Sequence, residues 1–340
     1  MKQKKVLVLG YGIMGRFLVQ ELRQMGYLVD VICLERITQD DPGICFTQAD
    51  CFQEGFLKQR LEGGCYDAVV DFLLYTTPRF RQMHELYLKN TPHYIFVSSY
   101  RVYSSLELPI REDSPQMLDV SQDQEYLAHE DEYSLYKARQ ERILRASGYD
   151  NFTIIRPSIV YSQLRFQLTA LEAPVFMTRS WQGKTVVLPE AAMDIQATMT
   201  WGGDAGKMIA RLVCNEKAKG QAYSLCTAQH QTWRQVAEIY QELFGLKYIT
   251  VDTEKFLSFF DNGFMSRNTL IYDRCAHRIM DNRKILEVTG LKQEDMMPLK
   301  EGLALEYSKL KQGHRWPDSG INDAMDEYLK EIGYESDSDQ

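Results

Sequence analysis

The chain has 340 residues, of which 44% are hydrophobic and 25% charged, and a formal net charge of -8 at pH 7. That length accommodates one large α/β domain, or a ligand-binding domain with a smaller lobe. No run approaches the roughly 18 apolar residues of a membrane span, and the acidic balance argues against general attraction to nucleic acid or an anionic membrane, where affinity comes from clustered Lys and Arg.

The N-terminus Met1-Lys2-Gln3-Lys4-Lys5 passes directly into Val6-Leu7-Val8-Leu9. This apolar stretch is too short for a signal-peptide core and lacks a small-residue cleavage site, so the expected location is the cytoplasm. Seven cysteines without a Cys-x-x-Cys indicate neither a disulfide framework nor a zinc knuckle, and most are expected to be reduced and buried. The six histidines have no metal-site spacing, so no metal is expected.

In chain order, Val6 to Leu9 reads as a buried strand, the following glycine segment as a turn, and Phe17 to Met25 as a helix with apolar Phe17, Leu18, Leu22 and Met25. Further strands are expected at Tyr27 to Leu34, near Ile44 to Phe46, at Ala68 to Leu74, at Tyr94 to Val97 and at Phe152 to Ile155, the last stopped by Arg156-Pro157. Strands alternating with helices imply a parallel sheet. Beyond about residue 160 the pattern loosens, with Pro174, Gly183 and Pro189 marking the start of a second lobe. Asp204 to Leu212 then reads as a helix, Ala222 to Cys226 as a strand, and Thr232 to Phe244 as an amphipathic helix capped by Gly245. Arg283 to Val288 and Leu299 to Leu310 complete a helical C-terminal part.

The turn is Gly10-Tyr11-Gly12-Ile13-Met14-Gly15, placed after a strand and opening a helix. Gly10 permits the tight turn, Gly12 lets the backbone approach a pyrophosphate, and Gly15 allows close packing of the helix, whose N-terminus faces the negative charge. Gly10, Gly12, Ile13, Met14 and Gly15 are therefore expected to bind a dinucleotide. An acidic residue is expected after the second strand to hold the adenosine ribose hydroxyls. Glu35, 20 residues beyond Gly15, fills that place and favours NAD by repelling a 2′-phosphate. Arg36 keeps NADP open, since an arginine there can pair with that phosphate; an ordinary surface ion pair with Glu35 is the plainer alternative.

Tyr133 and Lys137 are four apart, so on a helix they share one face. A nearby ammonium stabilises a phenolate and suits a tyrosine to acid/base work beside a carbinol. With 20 tyrosines in the chain, roughly one Tyr-x-x-x-Lys arises by chance, so position decides. Ser98-Ser99 follows an apolar strand, where α/β folds place their ligand crevice, and the tyrosine helix comes next. Ser99 can hydrogen-bond a substrate oxygen there; its alternative is a turn cap, with Tyr133 a surface residue.

These motifs resemble an extended short-chain dehydrogenase/reductase of the NAD-dependent epimerase/dehydratase family over nearly the whole chain. Tyr94-Ile95-Phe96-Val97-Ser98-Ser99-Tyr100-Arg101-Val102-Tyr103 is similar to the family's Ser-Ser-x-x-Val-Tyr strand end, and Ile155-Arg156-Pro157-Ser158-Ile159-Val160-Tyr161 to its Arg-Pro-x-x-Val-Tyr strand. The resemblance implies Ser99, Tyr133 and Lys137 as catalytic residues and places Arg156 and Pro157 beside the nicotinamide. It also implies a Rossmann-type doubly wound sheet with a smaller C-terminal α/β lobe that often binds a nucleoside diphosphate sugar, and a homodimer paired through the tyrosine helix. The expected organisation is an NAD(P)-binding domain over residues 1–165, its sheet completed by about 195–228, a substrate-binding lobe over 166–335, and an acidic tail at 336–340. For a nucleotide-sugar substrate, Arg156, Arg267, Arg274 and Arg278 are candidate phosphate contacts, each with a surface or ion-paired alternative, and Trp181, Trp201 and Trp233 could stack on a base, with a core position as the plainer alternative.

Leu9 stands where extended members usually carry the first glycine, and only about 18 residues separate the strands near Leu74 and His93. Both features resemble an atypical branch that includes the chloroplast stem-loop-binding proteins. The 4,6-dehydratases of the family carry Asp-Glu after the serine, whereas this chain has Tyr100-Arg101, which disfavours that reaction. The leading expectation is an NAD-dependent epimerase or oxidoreductase acting on a nucleotide sugar or related small molecule. The alternatives are an NADP-dependent ketoreductase on a non-sugar metabolite, and a non-catalytic cofactor-sensing or RNA-associated protein; the acidic balance and retained triad count against the last.

Overall fold

A computed structural model describes residues 3–130, 132–261, 263–310 and 313–334; the acidic tail lies outside them. Alternating apolar side chains along Val6-Leu7-Val8-Leu9 feed two separate cores. Val6 and Val8 join Val29, Val31, Val70 and Ile155 on one face, while Leu7 and Leu9 join Val69, Phe96 and Ile154 on the other. A strand buried on both faces needs helices on both sides, which is the doubly wound arrangement.

The strands are β1 (Lys5–Leu9), β2 (Leu28–Cys33), β3 (Ile44–Gln48), β4 (Ala68–Asp71), β5 (Tyr94–Val97), β6 (Phe152–Pro157) and β7 (Gln221–Leu225). They form one sheet in the order β7-β6-β5-β4-β1-β2-β3, and every pairing is parallel. The order reverses between β1 and β4, so a crevice opens outside the carboxyl ends of these two strands. Helix α1 (Ile13–Gln24) packs Leu18, Val19 and Leu22 on the Val6 face. On the other face lie α2 (Phe56–Gly64), α3 (Thr77–Asn90) and α4 (Tyr133–Ala146), through Leu57, Phe80, Tyr87 and Leu144.

Several expected boundaries move. Helix α1 begins at Ile13, four residues before the apolar stripe, because its first turn grows straight out of the glycine turn. Strand β4 stops at Asp71, whose Oδ1 accepts the Leu73 N–H at 2.9 Å and turns the chain. The 14-residue α3, with Thr76 as N-cap and proline in its first turn, fills what the sequence pattern leaves as a short connection.

The chain divides into two units, the first comprising Met1–Val160, Thr200–Ala228 and Met280–Met296 and the second Tyr161–Met199, Gln229–Ile279 and Met297–Gln340. The sheet lies in the first. In the second, a short parallel pair joins Val186–Pro189 to Tyr248–Val251. The helix Trp233–Phe244 carries a Thr232/Gln235 capping box and ends at Gly245 in the left-handed conformation. Phe176, Tyr240, Phe244 and Tyr307 form a continuous aromatic run there, with centroids 5.1 to 5.3 Å apart. All seven cysteines are free, but only Cys33, Cys51 and Cys226 are buried, so the expectation that most are buried is corrected. Among the described residues no helix is long and apolar enough to cross a membrane.

Candidate active site

The glycine turn is tied to the end of β2 by Gly10 N–H donating to Ile32 O at 2.8 Å. Gly10 has φ +96°, a conformation that favours glycine. A Cβ on Gly15 would fall 2.6 Å from Gly10 O, so the helix could not start so close to the turn with any larger residue, whereas a Cβ on Gly12 would meet nothing within 4 Å. Gly12 is the N-cap of α1, has no side-chain capping bond, and is followed by no acidic residue in the first turn. The leading N–H groups thus have no side-chain cap, and the space beside Gly12 is open at the positive end of a helix dipole. This geometry fits a dinucleotide pyrophosphate.

Glu35 and Arg36 are both exposed just past β2. Among the described residues neither side chain makes an ion pair, so the surface pairing considered above does not form. Cys33 Sγ donates to Glu35 O at 3.3 Å, fixing the Glu35 backbone beside the strand end. Leu34 and Leu74, exposed beyond β2 and β4, supply apolar surface at the same edge of the sheet on which an adenine ring could lie. Arg16 sits in the first turns of α1 with its guanidinium 4.7 Å from the Tyr11 ring centroid, and its Nε is buried without a partner among the described residues.

At the end of β5, Ser99 is nearly buried and N-caps a 3-10 turn, Tyr100–Val102. Its Oγ accepts the Arg101 N–H at 3.2 Å. Tyr133 is the first residue of α4, half-buried, with the Tyr136 ring edge-on at 5.4 Å and the Arg101 guanidinium 5.4 Å from its centroid. One turn further, Lys137 is 1% exposed and donates from Nζ to Val97 O at 2.7 Å. Burial pushes Lys137 down to about 8, against the opposing pull of the Asp71 and Glu141 charges. The three expected catalytic residues are thus connected: Lys137 to the β5 end two residues before Ser99, and Ser99 to Tyr133 through Arg101.

Asp71, at the end of β4, is buried and accepts from Tyr94 Oη at 2.7 Å and Tyr75 Oη at 2.8 Å. Burial raises its pKa, opposed by these donors and by the Lys137 charge.

Arg156 has a different environment. Its Nε and Nη2 grip Glu141 at 2.9 and 2.5 Å, and Nη1 donates to Tyr103 Oη at 2.7 Å and Glu112 O at 2.9 Å. The expected cofactor or phosphate contact at Arg156 therefore meets a guanidinium already bound to a carboxylate, a phenol and a carbonyl. Pro157 ends β6 in register with Leu225. In the second unit, Arg274 and Arg278 are buried and share Asp273, Arg267 is exposed, and Trp233 is core.

No family model matches the sequence, and no curated protein does. Solved structures do. An epimerase from the thermophilic methanogen Methanothermobacter thermautotrophicus is 13% identical with a TM-score of 0.68, over 90% of this chain and 92% of its own. UDP-glucuronic acid 4-epimerase from Bacillus cereus, in complex with UDP-glucuronic acid and NAD, is 15% identical with a TM-score of 0.67, over 91% of this chain and 100% of its own. A short-chain dehydrogenase/reductase superfamily protein from Agrobacterium tumefaciens with bound NAD is 17% identical with a TM-score of 0.61, over 97% and 100%. This chain has their fold.

Within this fold, sequence reasoning missed Asp71, Arg101, Glu132 and Glu141. Glu141 was within reach of a pattern argument, since Tyr133, Lys137 and Glu141 repeat every four residues along one helix face.

Proposed function

We propose that this chain is an NAD-dependent oxidoreductase or epimerase that moves hydride at a carbinol or ketone carbon of a nucleotide sugar. The observation that carries this reading is the connected set Ser99, Tyr133 and Lys137 at the carboxyl end of β5, in the same sheet as an uncapped glycine turn. Gly10, Gly12, Ile13, Met14 and Gly15 would hold the pyrophosphate, and Glu35 the adenosine ribose. When bound, NAD supplies the hydride acceptor and donor. Ser99 Oγ orients the substrate oxygen by a hydrogen bond, and Tyr133 Oη takes the carbinol proton or returns it. The Lys137 cation favours the tyrosine anion.

The nucleotide-sugar class is supported by the B. cereus epimerase, solved with UDP-glucuronic acid. Tyr100-Arg101 in place of Asp-Glu leaves epimerisation or keto reduction as the chemistry, not 4,6-elimination. Tyr133→Phe should abolish turnover of a nucleotide sugar while NAD affinity changes little; retained turnover would remove Tyr133 from the mechanism.

Arg16 and Arg36, two cations near the end of β2, favour a second reading in which the adenosine end takes NADP. Glu35→Ala separates the two. Under the NAD reading it should weaken NAD about tenfold and relax discrimination against NADP, consistent with loss of about 1.4 kcal/mol of binding, measured by titration of each dinucleotide. Unchanged affinity for both would remove Glu35 from the site. Mass identification of the dinucleotide released on denaturation gives an independent check, since an enzyme that recycles its own hydride tends to retain NAD.

A further inference from the structure

Arg101 meets both ends of the candidate chemistry, Ser99 through its backbone and Tyr133 through its side chain. Its N–H holds Ser99 Oγ at 3.2 Å, and its guanidinium lies 5.4 Å from the Tyr133 ring centroid. It arrives from the turn after β5, 32 residues before the tyrosine in the chain. The Arg101 side chain is only 16% exposed, and its Nη2 stands 3.3 Å from Glu132 Oε1.

Glu132 is itself held in place. Its Oε2 accepts the Ser134 and Leu135 N–H groups at 2.7 and 3.0 Å and the Ser134 hydroxyl, so it caps α4 immediately before Tyr133. Tyr126 Oη extends the chain of contacts to Ser134 Oγ at 2.5 Å. Arg101 reaches the Tyr133 ring from the turn after β5 and Tyr136 meets it edge-on, while Glu132 is the helix cap just before it and Lys137 follows one turn on. Tyr133 also stands at the positive end of the α4 dipole.

We propose that Arg101 is a positioning residue for the reaction: its backbone fixes Ser99, and its guanidinium, steadied by the Glu132 cap, serves as a second cation that favours the Tyr133 phenolate. This rests on the reading of Tyr133 as the acid/base. A cation over a tyrosine face is attracted to the neutral ring and more strongly to the ionised one. Glu132 acts with the opposite sign, since its carboxylate disfavours the phenolate and partly offsets Arg101. The clamp therefore sets the tyrosine between two opposed charges, and removing either moves its ionisation in a different direction. A merely structural role would not produce that reversal.

The test needs no substrate. Phenolate absorbance is followed against pH in the NAD-loaded protein, and subtracting the same titration of Tyr133→Phe isolates this tyrosine from the others. Arg101→Gln should raise the midpoint by about one unit, Arg101→Lys should leave it close to the unaltered protein, and Glu132→Gln, which keeps an oxygen to cap the helix, should lower it. An unmoved midpoint in Arg101→Gln, or Glu132→Gln and Arg101→Gln moving it in the same direction, overturns the proposal. If Arg101→Gln does not fold, the Arg101→Lys and Glu132→Gln titrations still decide. Turnover by Tyr133→Phe is a separate measurement: if it persists, the functional reading fails while the titration still reports whether Arg101 acts on the tyrosine.

Discussion

Arg156 and Lys137 are each 1% exposed and both belong to the sheet-bearing unit, yet their charges are housed in opposite ways. Burial works against the Arg156 charge, but Tyr103 and Glu141 outweigh it and raise the pKa further above the usual arginine range. Among the described residues Lys137 makes no ion pair; its Nζ meets the Val97 carbonyl and lies 4.9 Å from the Phe96 ring centroid, and burial pulls it down to about 8. A buried cation matched by a bidentate carboxylate has its donors taken up and is suited to holding structure. A buried cation without a carboxylate is held at a cost in stability, the kind of cost that functional sites carry more often than structural ones.

The largest expected effect breaks the matched side. Glu141→Gln leaves the Arg156 guanidinium buried without its carboxylate, and should destabilise the protein by about 3 to 5 kcal/mol. Replacing both partners with Met should recover most of that loss, because two buried charges are then removed together. Denaturant unfolding of the single and double variants decides, and equal losses would mean the pair is not the structural unit the distances describe.

His93 supplies a third case, a buried base held neutral. Its Nδ1 accepts the Cys214 N–H at 3.1 Å, so the proton resides on Nε2, which donates to Thr153 Oγ1 at 2.8 Å. Burial, aided by the Lys219 charge, lowers its pKa from 6.5 to about 4. Between these values the unfolded chain binds a proton that the folded one does not. Stability is therefore unaffected by His93 above pH 6.5 and falls as pH drops towards about 4, by about 3 kcal/mol in all. His93→Gln should lose this part of the acid slope in unfolding free energy. The same slope in both proteins would remove His93 as the cause.

The contrast also explains what the sequence could and could not reveal. Strands buried on both faces are nearly continuous apolar runs, so β1, β4 and β5 were legible, as was the glycine turn with its strand before and helix after. The same runs misled at their ends: Phe72 to Leu74 continue the apolar pattern of β4, but the Asp71 carboxylate ends the strand through a local hydrogen bond that periodicity does not record. Helix α3 has apolar Phe80, Tyr87 and Leu88 on one face, a pattern thinned by polar residues between them. In the site, the four-residue spacing of Tyr133 and Lys137 was visible because both lie on one helix. The Arg156–Glu141 and Arg101–Glu132 pairs join residues 15 and 31 apart, and only the folded chain brings them together.

The smallest effect sharpens the unmatched side. Lys137 has its pKa lowered from 10.5 to about 8, so below pH 8 the folded protein bears a charge it disfavours, and the penalty is relieved only as pH rises through this interval. That penalty is worth roughly 3 kcal/mol. Lys137→Met removes it but leaves the Val97 carbonyl without its donor, which returns about 1 to 2 kcal/mol. The net expectation at neutral pH is a gain in stability of about 1 to 2 kcal/mol, together with loss of turnover. Unfolding at pH 7 and pH 10 should show the advantage shrinking as the buried ammonium of the unaltered protein gives up its proton. A destabilised Lys137→Met at both values would mean that the Val97 contact outweighs the buried charge, and Lys137 would then belong with Arg156 as a structural cation.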